Sequence, residues 1–290
     1  MYKKLKDKKR FKNCHCKNIN RFCKILADYF CEIYRNESIN IFKESSPKEI
    51  VEKYMKYLND AMQDSPIFNS GFNEKKIEND KKKALHIIWN YILKTLCIKI
   101  FENEINEEDK SFTKVCEKLS WVKPENLEIP LEVYDENLFK KAEDHIKKMD
   151  NLRTPGGMLD QFGLGVQFIN SMFVFMLNQS QAEAGDLLPL IILGIIKTKP
   201  KRMIFNIKFI KYFMNQNELL GNVGYNLIQA ESSTNFIKTI TGKQLKMDEK
   251  EFEEKCKSNT ESLEEDKHKN NININSINDL ENEINNDDSD

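Results

Sequence analysis

Apolar residues recur at spacings of three and four through eight segments of the chain: Phe22 to Tyr34, Ile50 to Met62, Ala84 to Phe101, Leu138 to Met149, Met158 to Leu177, Leu187 to Ile196, Ile204 to Met214 and Tyr225 to Ile240. That period marks one face of an α-helix. No segment shows a convincing strand alternation, so the sequence predicts an all-α fold, a helical bundle followed by a layered helical domain. Helix borders have local causes. Ser46 and Pro47 supply a cap and a first-turn proline, while Thr154, Pro155, Gly156 and Gly157 break one helix from the next.

Length and charge limit the possibilities further. The 290 residues, 40% of them hydrophobic, suffice for one good-sized core with tails to spare. The net charge of −1 averages opposite ends: about ten Lys or Arg against a single acid in the first two dozen residues, and about fifteen acids against five Lys after Met247. These ends predict a basic flexible segment over 1–18 and an acidic, Asn-rich disordered tail over 246–290. The core divides into an N-terminal helical bundle over 19–79 and a main domain over 80–245. Seven cysteines without a regular framework, and no apolar leader after the basic start, suggest free thiols and a cytoplasmic protein. The runs Met172 to Leu177 and Leu187 to Ile196 fall short of the ~20 residues that span a bilayer.

The informative stretch starts at Gly185-Asp186-Leu187-Leu188-Pro189, where an acid precedes an apolar helix with proline in its first turn. By itself this is how a helix is capped, since a carboxylate accepts from unpaired first-turn amides and suits the positive helix end. The same helix leads through Lys199-Pro200-Lys201-Arg202 and Asn206-Ile207-Lys208-Phe209-Ile210 to Gly221-Asn222-Val223-Gly224-Tyr225. Upstream stand Trp121-Val122-Lys123-Pro124-Glu125-Asn126-Leu127-Glu128-Ile129-Pro130 and Lys148 to Pro155. In this order and spacing the motifs resemble the vacuolar-protein-sorting-9 (Vps-9) domain family, exchange factors for endosomal Rab GTPases of the Rab-5 type. The resemblance covers roughly Asp80 to Ile240.

It implies a Vps-9-type layered helical domain that promotes GDP release from a Rab-5-type GTPase in endocytic trafficking, peripherally associated with endosomal or vesicle membranes. The basic N-terminus would supply membrane contact. No covalent chemistry, cofactor, metal or DNA is implied. The GTPase would lie in a groove between Leu187 to Ile196 and Tyr225 to Ile237. Asp186 becomes the candidate catalytic acid, and Pro189, Leu193, Arg202, Tyr225 and Ile228 the candidate GTPase contacts, with Asn206 ordering a helix join. The sequence departs from the pattern in three places. The family's catalytic aspartate stands four residues before the proline, where this chain has Gly185; Asn226 replaces the second tyrosine; Ile228 stands where threonine is usual. Glu183 is a longer carboxylate nearby and the second candidate for the acid's place; with Gly185 in the usual acid position, the alternative reading is an adaptor that binds a Rab or another partner without exchange activity.

Other constellations carry less. Cys14, His15, Cys16, Cys23 and Cys31 lack the ligand spacing of structural zinc. Gly242-Lys243-Gln244 lacks the upstream glycine and the Ser or Thr of a phosphate-binding loop. The four histidines, His15, His86, His145 and His268, are dispersed and suggest no catalytic dyad.

Overall fold

The computed structural model describes residues 47–63, 74–97, 106–177, 182–214 and 217–262. The expected helix Phe22 to Tyr34 and the basic segment 1–18 lie outside the described residues. Within them every regular element is a helix, so the all-α expectation holds. The chain divides into two compact units, one of 1–104 with 153–155 and 209–213, the other of the remaining residues.

In the first unit, α1 (Pro47–Gln63) packs on α2 (Glu74–Leu96). Val51, Leu58 and Met62 form the buried stripe of α1, and Ala84, Ile88 and Ile92 that of α2. These spacings of four and seven place each set on one helix face. Phe209 and Phe213 belong to this unit too, their rings edge-on at 5.0 Å.

The second unit is built around a hydrophobic helix. Its elements are α3 (Asn106–Lys118), a 3₁₀ turn Pro124–Leu127, α4 (Glu136–Lys148), a 3₁₀ turn Met149–Asn151, α5 (Pro155–Leu177) and α6 (Ala184–Thr198). They continue with α7 (Met203–Phe213), α8 (Asn222–Lys238) and a 3₁₀ turn Gly242–Leu245. A final helix, α9, covers 249–262. Helix α6 packs against α3, α4, α8 and the 124–127 turn. Accordingly Leu190, Ile191, Ile192, Leu193, Ile195 and Ile196 are all buried, as expected for a helix apolar all round.

Two elements stand where the sequence reading had none. Helix α3 carries few apolar residues, yet Phe112 and Cys116, one turn apart, are buried. Helix α9 occupies the first part of the expected disordered tail and corrects its boundary at 246. Its Phe252 and Cys256 are buried, and the Asn259 amide donates to the Glu117 carbonyl at 2.8 Å and the Ser120 hydroxyl at 3.0 Å. Trp121 meets Phe252 edge-on at 6.2 Å and lies under the Lys255 ammonium at 5.2 Å. Two apolar anchors and a side-chain clamp suffice to hold a helix that charge counting assigns to solvent.

The entry to α7 is organised by two carboxylates. Asp109, 3% exposed, accepts from the Ile204 amide at 2.8 Å and the Phe205 amide at 3.2 Å. Asp150 accepts from the Lys201 amide at 2.6 Å and the Asn206 side chain at 3.3 Å. Beside them Glu108 pairs with Lys208 and, at 3.4 Å, with Lys238, tying α3 to α7 and α8.

Burial pushes the Asp109 carboxyl up from 3.8 to about 6, against the pull of the two amides. A carboxyl raised in the folded state binds more protons there than in the unfolded chain between pH ~4 and ~6, so its contribution to stability falls as pH rises through that window. The rise corresponds to ~3 kcal/mol. Asp109→Asn is expected to be more stable than the wild type at pH 7 and to converge with it near pH 4. Urea denaturation of both proteins at several pH values checks this. A difference that does not change with pH would show that Asp109 keeps its ordinary carboxylate behaviour.

Candidate functional site

The N-terminal turn of α6 is capped by Glu183, which has extended backbone with φ −75° and ψ 159°. Asp186 sits three residues on, and its carboxylate accepts from the Glu183 amide at 3.2 Å. This is the reciprocal bond by which a first-turn acid closes a helix start. Asp186 and Glu183 are both exposed, but the Asp186 carboxylate is folded back on its own helix end. Gly185, between them, is exposed as well, and a Cβ built on it meets nothing within 4 Å.

Pro189 lies inside α6, not in its first turn, because the helix starts at Ala184. Proline has no amide hydrogen, so the Gly185 carbonyl lacks the donor that residue 189 would give it in a regular helix. Leu188 and Pro189 are half-buried. Leu193, by contrast, is fully buried. Its side chain is part of the core and offers nothing to a partner, which corrects its candidacy as a contact. The open part of α6 is confined to its first two turns.

The start of α8 depends on two glycines. Gly221 has φ +63°, the left-handed region that glycine adopts without strain. A Cβ on Gly224 would sit 2.0 Å from the Leu219 carbonyl oxygen and 3.0 Å from its carbon. Main chain presses on main chain at this point, and Tyr225 follows directly.

Tyr225 is half-buried, and its hydroxyl accepts from the Gln229 amide group at 2.8 Å. Gln229, 6% exposed, thereby fixes the ring from inside the domain. Ile228, three residues beyond Tyr225 and so on the same helix side, is 62% exposed, and Leu220 just before the helix is 69% exposed. Asn226 approaches α5 so closely that a Cβ on Gly163 would lie 2.4 Å from its Nδ2.

Arg202, a candidate GTPase contact from the sequence, is engaged within the domain. It is half-buried, its guanidinium lies 4.6 Å over the Phe205 ring, and its charge acts on Asp150. Burial still leaves the Asp150 carboxyl above its ordinary value. Asn206 is fully buried and bonded to Asp150, in keeping with a role in ordering the helix join. Arg202 and Asn206 therefore belong to the α7 entry. The sequence reading missed Gln229; a glutamine one helical turn after a tyrosine was the available signal.

The buried apolar helix α6 thus opens on an exposed acidic turn and packs against α8, whose start carries Tyr225. Residues 139–242, which contain both helices, match the model of the Vacuolar sorting protein 9 (VPS9) domain. The chain is 23% identical over 234 residues to the Vacuolar protein sorting-associated protein vps901 of Schizosaccharomyces pombe, covering 76% of this chain and 40% of that protein. It is 26% identical over 193 residues to the Vacuolar protein sorting-associated protein 9A of Oryza sativa, covering 64% of this chain and 39% of that one. With the Rab5 GDP/GTP exchange factor of Homo sapiens it shares 28% identity over 181 residues, 59% of this chain and 36% of that protein. The chain thus spans about 40% of the length of such relatives.

Proposed function

We propose that this protein promotes GDP release from a small GTPase of the Rab5 kind, at endosomal or vesicle membranes. The observation that carries the reading is the start of α8, with exposed Ile228 and half-buried Tyr225 on one side of the helix, in the domain whose named relatives include a Rab5 GDP/GTP exchange factor. Large apolar side chains left in solvent at an ordered helix signal a partner.

The thermodynamics need no bond chemistry. A GTPase holds its nucleotide through a phosphate-cradling loop and a magnesium ion. A protein that prefers the nucleotide-free form weakens nucleotide binding by the same factor, by linkage. Tyr225 and Ile228 would grip the GTPase, and a carboxylate on the first turn of α6 would oppose the phosphate-and-metal site. Asp186 and Glu183 are the carboxylates at hand.

A second reading, an adaptor that binds without exchange, is favoured by Gly185 in the family's acid position and by the inward bond of Asp186. Release of fluorescent GDP from a panel of Rab GTPases separates the two. Tyr225→Ala is expected to weaken binding at least tenfold, as the loss of an aromatic anchor does at other interfaces. Asp186→Ala lowers the rate if the exchange reading is right and leaves it unchanged if Asp186 only caps. Wild-type binding without acceleration selects the adaptor, and no binding to any Rab removes both readings.

A further inference from the structure

We infer that the end of the second unit formed by the C-termini of α4 and α6 is a docking face for an anionic lipid surface. Lys147 and Lys148 close α4, Lys197 lies in the last turn of α6, and Lys199 and Lys201 follow it. They are brought together by the chain's own bonds. The Lys201 amide is held by Asp150, two residues beyond Lys148, at 2.6 Å. The Lys197 ammonium donates to the Ser120 carbonyl at 2.9 Å. Burial holds the Lys197 ammonium below its ordinary value against the pull of Glu143, and the charges of Lys199 and Lys123 add to the lowering.

Stability explains only part of this arrangement. A base in the last turn of a helix complements the negative helix end, which accounts for Lys147, Lys148 and Lys197. It does not account for Lys123, Lys199 and Lys201, which lie beyond the helix ends. Lys199 even adopts a left-handed backbone, φ 48°, as the residue that turns the chain out of α6. Among the described residues, Lys123, Lys147, Lys148, Lys199 and Lys201 form no ion pair. Of the acids nearby, Glu143 pairs with Lys140 at 3.0 Å, Asp150 accepts from the Lys201 amide and Asn206, and Asp144 is exposed one turn before Lys147 and Lys148. The lysines outnumber these acids, and a cluster of like charges held by the fold fits a surface that is itself a sheet of negative charge.

The position suits such a surface. The 15 residues of α6 separate its basic end from Asp186 by ~20 Å at 1.5 Å per residue, so lipid contact at one end leaves the acidic turn at the other uncovered. Among the described residues no helix is long and apolar enough to cross a membrane, so the contact would be peripheral. This inference stands whether or not the protein accelerates exchange.

The test is co-sedimentation of the full chain with phosphatidylcholine vesicles, with and without phosphatidylserine. Binding is expected only to the anionic vesicles and is expected to weaken with salt. Replacing Lys147, Lys148, Lys199 and Lys201 together by Gln is expected to reduce partitioning roughly 600-fold, and Lys147→Gln or Lys201→Gln alone roughly fivefold. The single variants carry the test if the fourfold variant loses its thermal transition. A parallel variant neutralising Lys3, Lys4, Lys6, Lys8 and Lys9 separates this face from the basic N-terminus. The inference is overturned if anionic vesicles retain the Gln variants like wild type, if only the N-terminal variant loses binding, or if wild type binds neither vesicle or both equally.

Discussion

Gly185→Asp is expected to raise the rate of GDP release from the cognate GTPase by on the order of tenfold to a hundredfold. The substitution puts a carboxylate four residues before Pro189, on the exposed first turn of α6, where a new Cβ meets no atom within 4 Å. A fixed charge aimed at a site of high charge density is worth factors of that size when added or removed. Fold is not at risk. An acid in the first turn suits the positive helix end by about 0.5 kcal/mol, and Gly185 has no left-handed backbone to preserve. Release of fluorescent GDP, with affinity measured alongside, decides the matter. If affinity is kept and the rate does not move, the position of the acid is not what limits this protein, and the exchange mechanism drawn here fails.

Gly224→Ala is expected to be the most damaging small substitution in the second unit. Its methyl group would overlap the Leu219 carbonyl, 2.0 Å away, and main chain cannot swing aside as a side-chain tip does. The turn before α8 must move, at a cost of about 2–3 kcal/mol or more. Because Tyr225 is the next residue, GTPase binding should fall although no contact residue has changed. Urea denaturation followed by circular dichroism measures the first effect and a binding titration the second. Gly185→Ala, at an open site, is the control and should change neither. An unchanged transition for Gly224→Ala would mean that the turn is pliable and the glycine is not required by packing.

Much of this architecture was legible because periodicity reports burial. The stripes of α1, α2, α4, α5, α6, α7 and α8 could be read from apolar spacing, and the glycines before Tyr225 had recognisable places in a motif whose physical causes the structure supplies. Other parts were hidden for identifiable reasons. Helix α3 has too few apolar residues to declare a period, yet its Asp109 holds the start of α7 through amides 95 and 96 positions away in the chain. Helix α9 is mostly charged, and only its contacts with Trp121, Glu117 and Ser120 show why it folds. The helix starts at α6 and α8 were legible in the sequence, but the surroundings of the candidate side chains on them were not. Leu193 turned inward because α6 is surrounded, and Arg202 was drawn onto Phe205 and toward Asp150. Neither fact has a local signal, since both depend on which helices arrive from elsewhere. Gln229, which braces Tyr225, lay one turn away and was passed over because its partner is a hydroxyl instead of an apolar face.

The clamp of α9 on Trp121 separates two boundaries that are easily treated as one. The match to the VPS9 domain model stops at residue 242, whereas the interlocking of side chains continues to Asn259. Inherited likeness marks the part shared with relatives; burial marks the part that must be kept for that likeness to remain standing. A fragment cut at the first border would lose Phe252, Cys256 and Asn259 together and leave the Trp121 ring facing water. The family pattern and the packing of side chains therefore end at different places in this chain.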